Sequence, residues 1–455
     1  MEKTTVSEKI GYGIASLGDA VGFGLVGTFL MFFLTNVASV PPAIAGTVTI
    51  IGTVWNALFN PVIGYCADKV RTRFGRRRPV ILFFSIPLSA TMFLLFTNID
   101  IPMAIKPVYY AVMLILFWTC FTGFFVPYSA LGAAYTSDYN DRTILRLFAS
   151  FFNSTGTVFA MIAPTILVDI FCKSGMMLDE AWSATGGILG IITTASIIIT
   201  VAVSGKKDPP CGKTENDGES IKRFNFSRIF GEYVSLIKLK PVKYLVLAGL
   251  FALVAYAMVV SNTVYFLTYN MGLSPSEISA CMLIRALLGA ALIPIVGKLI
   301  IAFDKRETLI GFILLGSAGM LITRFTDLPG GIVPVIYMIS ATICTATYWQ
   351  VIPSAFYDVC EYDKITTGKK REAVIISFQG FIEAIAVGAG GQILGVVLQI
   401  AGFDGNSAVQ SGSALLWIEN SATVLPLLFY GAAIIALYKY PITKKSYEHM
   451  INRNR

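Results

Sequence analysis

Twelve stretches of the chain stay apolar for about 20 residues or more, the length an α-helix needs to cross a ~30 Å hydrocarbon core at 1.5 Å per residue. They lie near 10–36, 43–66, 79–97, 107–133, 147–171, 182–204, 244–269, 276–301, 308–325, 331–359, 373–402 and 414–438. Lipid offers no hydrogen bonds, so each stretch must satisfy its backbone internally, and a helix does this within one segment. With 55% hydrophobic and 14% charged residues, the composition excludes a soluble protein of this size. The expected fold is an all-α integral membrane protein of twelve transmembrane helices. One long polar segment, with "GKKDPPCGKTENDGESIKR" at its start, reads as an exposed linker over 205–243. It separates two six-helix bundles, 1–204 and 244–455.

The net charge of +8 is concentrated in alternate connections between spans. "KVRTRFGRRRP" (69–79) follows the second span, Arg142 and Arg146 the fourth, Lys305 and Arg306 the eighth, and Lys364, Lys369, Lys370 and Arg371 the tenth. Lys106, Lys173 and Arg324 remain for the opposite side. Lys and Arg near span ends set topology, so both termini are expected in the cytoplasm and the chain in the inner, cytoplasmic membrane. The start MEKTTVSEKI shows no cleavage site after a short apolar core, so the first span is expected to act as its own insertion signal. Nucleic acid is not an expected partner, because no basic reader motif occurs.

Other function classes fall away in the same manner. The seven cysteines have no paired spacing, and the single histidine, His449, lies in the tail. No phosphate-binding glycine loop occurs, since Lys207 stands where the earlier glycine of such a loop belongs. No nucleophile-base pair or metal-ligand set is visible, so neither an enzyme, a cofactor nor a metal is expected.

The halves echo each other. "NPVIGYCADK" (60–69) closes the second span and "IPIVGKLIIAFDK" (293–305) the eighth; "VPYSA" (126–130) in the fourth matches "IPSA" (352–355) in the tenth. Fragments at equivalent places in two sets of six point to parallel repeats.

Ionisable residues within spans are costly, about 2.5 to 3.5 kcal/mol each on insertion scales, and mark functional sites unless they pair. Asp19, Arg285 and Glu383 lie roughly 14 Å into the first, eighth and eleventh spans. Arg285 and Glu383 could neutralise each other as a structural pair; Asp19 has no cation at that depth in its own half. Asn56 and Asn60, one turn apart in the second span, are either interhelical hydrogen-bond glue or part of the site. In "TYWQVIPSAF", Trp349 offers a flat ring beside the Gln350 amide, which suits a ligand with apolar and hydroxyl faces. Pro127 and Pro353 each remove a helical hydrogen bond and favour a kink.

"GYGIASLGDAVGFGLVGTFLMFFLTNV" (11–37), "VWNALFNPVIGYCADKVRTRFGRRRP" (54–79), "FYDVCEYDKITTGKKREAVIISFQGF" (356–381) and "YPITKK" (440–445) together resemble the glycoside-pentoside-hexuronide:cation symporters, a melibiose permease-like branch of the major facilitator superfamily. The resemblance runs through the whole chain in order. It implies the major facilitator fold, alternating access, and uptake of a sugar or glycoside coupled to sodium or protons.

Several positions depart from that pattern. Two carboxylates usual in the family's second span, within W-D-A-x-x-D-P, are here Asn56 and Asn60. An amide carbonyl can ligate a hard cation but carries no charge to hold it. Thr122 stands at a cation-ligand position, and Trp349 matches the aromatic of the sugar pocket. Phe125 and Ser129 replace an acidic residue and a tryptophan of melibiose permease, and Ala384 replaces a lysine. The less charged pocket favours a solute with a larger apolar part, such as an aryl or steroidal glycoside or a lipid-like molecule.

The expectation is therefore a secondary transporter with a cavity lined by the first, second, fourth, eighth, tenth and eleventh spans. The substrate-binding set is Asp19, Phe125, Ser129, Trp349, Gln350 and Glu383. Cation-coupling candidates are Asn56, Asn60, Thr122 and Asp19, with protons favoured over sodium. The resemblance also implies a cytoplasmic gate of Asp68, Arg73, Arg76 and Arg77. Expected partners are the solute, a proton or sodium ion and the bilayer, with the protein a monomer. The alternatives are an uncoupled facilitator and a transport-inactive solute sensor.

Overall fold

The computed structural model describes residues 4–70, 72, 74–75, 77–135, 139–206, 226–326, 329, 331–368, 372–442 and 446. Among them are 12 helices long and apolar enough to cross a membrane. Apolar side chains that a soluble protein would bury stand exposed, Phe83, Ile86, Ile191, Leu315 and Leu428 among them, as a lipid-facing surface requires.

The chain divides into two compact units, Met1–Phe224 and Asn225–Arg455. The first contains α1 (Val6–Asn36), α2 (Pro42–Lys69), α3 (Arg78–Leu95), α4 (Lys106–Ala134), α5 (Tyr139–Lys173) and α6 (Leu178–Val203). The second contains α7 (Phe226–Ile237), α8 (Lys240–Tyr265), α9 (Pro275–Ala302), α10 (Lys305–Phe325), α11 (Val333–Ala346), α12 (Tyr348–Thr367), α13 (Glu372–Ile400), α14 (Gly412–Ala422) and α15 (Val424–Lys439). Spans seven to twelve are α8 with a following π-helical turn, α9, α10, α11 with α12, α13, and α14 with α15.

Packing repeats between the units. In the first, α1 lies on α5 and α6, α3 on α4 and α6, and α2 on α4. In the second, the seventh span lies on the eleventh and twelfth, the ninth on the tenth and twelfth, and the eighth on the tenth. Adding six to each span number in the first set produces the second. Close approach recurs too. A Cβ on Gly156 of α5 would meet Leu17 O of α1 at 2.5 Å, and one on Gly390 of α13 would meet Val254 O of α8 at 2.6 Å. Small residues allow membrane helices to pack backbone to backbone, where lipid supplies little hydrophobic drive for association.

One expectation needs correction. The segment 205–243 is not an exposed linker throughout: residues 226–237 form helix α7, which packs on α13 and α8, and Lys240 already belongs to α8. Tyr233 sets its ring 4.8 Å from that of Phe378 and its hydroxyl 3.0 Å from Ser377 Oγ. The apolar spacing Phe226, Ile229, Phe230, Tyr233, Leu236, Ile237 is helical, but the polar composition just before it hides the signal. Residues 207–225 lie outside the described residues.

Helix α4 continues through Pro127 and α12 through Pro353, and the tenth span is divided into α11 and α12 at Thr347. A second break, at Thr423, divides the twelfth span.

Candidate functional site

In the first unit, α2 and α4 bring Asn56, Asn60 and Thr122 into one hydrogen-bonded group. Thr122 Oγ1 donates to Asn56 Oδ1 at 2.7 Å, and Asn60 Nδ2 donates to Asn56 O at 3.0 Å and to Asn56 Oδ1 at 3.3 Å. The one-turn spacing on α2 makes the amide contact possible, and α2–α4 packing supplies the hydroxyl. Asn60 Oδ1 takes no hydrogen bond among the described residues, which leaves a carbonyl oxygen available to a ligand. The group can coordinate or hydrogen-bond, but it holds neither charge nor a titrating proton.

Asp19 on α1 stands apart from this group. Its carboxylate accepts from Asn153 Nδ2 of α5 at 3.2 Å, and the same amide reaches Ser16 O at 3.4 Å. No cation pairs with it among the described residues. One turn away, Ser16 Oγ lies 2.7 Å from Tyr128 Oη of α4, and Tyr128 donates to Tyr12 O at 3.1 Å with its ring stacked on Tyr12 at 4.7 Å. Phe125, 39% exposed, stacks on Phe121, and Ser129 Oγ donates to Phe125 O at 2.9 Å, so its hydroxyl proton is already committed to its own helix.

In the second unit, Glu383 on α13 accepts from Gln379 Nε2 at 2.8 Å and from Tyr348 Oη at 3.4 Å, both on the same oxygen. Its other oxygen takes no hydrogen bond among the described residues. Trp349, 46% exposed, meets Tyr348 edge-on at 5.2 Å and Tyr256 of α8 edge-on at 6.2 Å. Among the described residues the Gln350 side chain reaches only Ala346 O, at 3.5 Å. This aromatic-amide pair lies in the first turn of α12. An indole face, an open carboxylate oxygen and an amide together suit a solute with one apolar face and several hydroxyls.

Arg285 and Glu383 do not pair. Arg285 is 5% exposed on α9, and its contact is Thr263 Oγ1 of α8 at 3.5 Å, whereas Glu383 is held by Gln379 and Tyr348. Equal depth does not decide pairing; the direction in which each helix turns its side chain does.

Of the expected gate, Arg73, Arg76 and the side chain of Asp68 lie outside the described residues. Arg77 precedes α3, and the turn is closed by a bridge between Thr72 and Gly75, the latter at φ 106°, a backbone conformation glycine adopts without strain. Arg78 does more than the pattern foretold: its Nε donates to Val201 O at 2.8 Å, placing a cation on the carboxyl end of α6. At the equivalent place in the second unit, Lys305 pairs with Asp358 of α12 at 2.6 Å and reaches Ser354 O at 3.2 Å.

The sequence profile of the family described as "MFS/sugar transport protein" matches residues 11–444. The chain belongs to that family. This is a family of transporters, not enzymes, and the resemblance to glycoside:cation symporters read from the sequence holds. The isoprimeverose transporter of Lactiplantibacillus pentosus is 27% identical, over 96% of this chain and 89% of that one. "Sodium-dependent lysophosphatidylcholine symporter 1" of Xenopus tropicalis is 24% identical, over 97% and 88%. Among solved structures, the nucleoside transporter NupG matches with a TM-score of 0.67 at 12% identity, over 98% and 99%, which shows the shared fold.

Sequence reasoning missed the partners of the candidate residues: Asn153, Tyr128, Tyr348, Gln379 and Tyr256. Tyrosines and amides within spans carried the signal, since a polar group in a membrane helix seeks a partner there. Nothing in one dimension told which would meet which.

Proposed function

We propose that this family member is a secondary transporter of the cytoplasmic membrane, with both termini inside, that moves a sugar, glycoside or related amphiphilic solute by alternating access, driven by protons rather than sodium. The carrying observation is the contrast within the first unit. The Asn56–Asn60–Thr122 group is uncharged, while Asp19 is a carboxylate whose one hydrogen-bond partner among the described residues is a neutral amide. Sodium needs fixed negative charge to repay its lost hydration, and amide and hydroxyl oxygens supply little. A carboxylate facing an amide can exist with or without its proton, as a proton carrier must.

Exposed Trp349 beside the Tyr348–Glu383 pair supports an amphiphilic solute, as do relatives named for a sugar on one side and a lysophospholipid on the other. The deciding experiment is uptake by purified protein in liposomes, with disaccharides, aryl glycosides and lysophospholipids tested under imposed pH or sodium gradients. Accumulation of an aryl glycoside or lysophospholipid under an acid-outside gradient is expected. Accumulation under sodium alone, or uptake restricted to unmodified disaccharides, overturns the reading. The charge-free group also favours one alternative, an uncoupled facilitator, which would equilibrate the solute under every gradient. A sensor would bind it without flux.

A further inference from the structure

We propose that helix α7 is held at the membrane surface by anionic phospholipid, whose headgroups meet Lys238, Lys240 and Lys243 while Val234 and Ile237 enter the acyl boundary. With 12 residues, α7 is too short to span a bilayer. It is nevertheless pinned at one edge of it, because Lys238 and Leu239 alone separate it from α8, the start of the seventh span. Its inner side rests on the opening turns of the eleventh span. There the Tyr233 ring lies 4.8 Å from Phe378 and 5.8 Å from Phe381, and Leu236 is wholly buried.

A helix satisfied by these contacts alone would turn its remaining sides to water and make them polar. One side is not polar: Val234 is 56% exposed and Ile237 42%, three residues apart. Round the axis from Tyr233, at 3.6 residues per turn, Ile237 comes at about 40° and Val234 at about 100°, with Gly231 and Ser235 beyond at about 160° and 200°. An apolar shoulder therefore separates the protein-facing side from the polar side, the pattern of a helix lying in the membrane interface. The charges stand next to that shoulder. Lys238 follows Ile237 directly, and Lys240 and Lys243 lie on one side of the opening turn of α8, which carries no acidic side chain. All three lysines are exposed, and none forms an ion pair among the described residues. Topology accounts for basic residues at the end of a span, but not for exposed apolar side chains beside them. The leaflet in which the seventh span starts answers both, with acyl chain for Val234 and Ile237 and phosphate oxygens for the lysines.

Hydrogen exchange of the full-length protein in phosphatidylcholine nanodiscs, with and without phosphatidylglycerol, reads the contact directly. The amides of α7 are expected to exchange about fivefold more slowly when phosphatidylglycerol is present, the factor that one lysine at an anionic surface is worth, while those of α1 exchange equally in both. High salt should erase the difference, since the attraction is screened. Lys238→Gln with Lys240→Gln and Lys243→Gln should abolish it. Val234→Ser with Ile237→Ser, which keeps the lysines, should speed α7 exchange in both compositions. Equal α7 exchange with and without phosphatidylglycerol, a difference that survives the lysine substitutions, a serine variant that exchanges like the unmodified protein, or the same slowing by inorganic phosphate in phosphatidylcholine alone overturns the proposal.

Discussion

Returning carboxylates to the second span, by Asn56→Asp with Asn60→Asp, should convert the uncharged group into a sodium site. The two side chains approach to 3.3 Å. Two unit negative charges at that distance repel by about 5 kcal/mol at an effective dielectric of 20. Both can be ionised together only with a cation between them; otherwise one keeps its proton. Thr122, 2.7 Å from Asn56, is already placed to contribute its oxygen. Much of the electrostatic gain offsets sodium dehydration, but a remainder of ~1.4 kcal/mol still makes a tenfold difference in affinity. Solute counterflow in liposomes and the thermal midpoint should both become sodium-dependent in the double variant, with potassium inert, while the unmodified protein stays indifferent. A double variant that is monodisperse and binds solute yet ignores sodium refutes the reasoning, because the geometry would then not be that of a cation site.

Asp19→Asn should abolish the pH dependence of uptake. In the unmodified protein uptake is expected to fall as external pH rises, because loading needs the protonated carboxyl, whereas the permanently neutral amide should give a flat profile; an intact slope removes Asp19 from coupling. Trp349→Ala should weaken solute affinity about tenfold, the loss expected when an aromatic contact is removed, with Trp349→Phe in between, as read by equilibrium binding; equal affinity in all three excludes the ring from the site. Asp358→Asn should destabilise the second unit by about 1 to 3 kcal/mol, since it leaves Lys305 partly buried without its partner, and Lys305→Asp with Asp358→Lys should recover most of the loss in thermal denaturation. Failure of the swap to recover stability would assign the effect to packing around Ser354 instead.

The sequence by itself determined the number of spans, the division into two sets of six and the repeat between them. Apolar length and helical rise are properties of a single segment, and lipid permits no other backbone solution. It also placed Asn56 with Asn60, because a one-turn spacing brings residues together on any helix. The amphipathic spacing of α7 stands in the sequence, but the polar stretch beside it masked the helix. What only the tertiary structure decided was partnership between helices: Thr122 on Asn56, Asn153 on Asp19, Tyr348 on Glu383, and, among the described residues, no carboxylate on Arg285. Depth in the membrane can be counted along the chain. The direction of a side chain around its helix axis, and the neighbour it finds, depends on how helices distant in sequence pack.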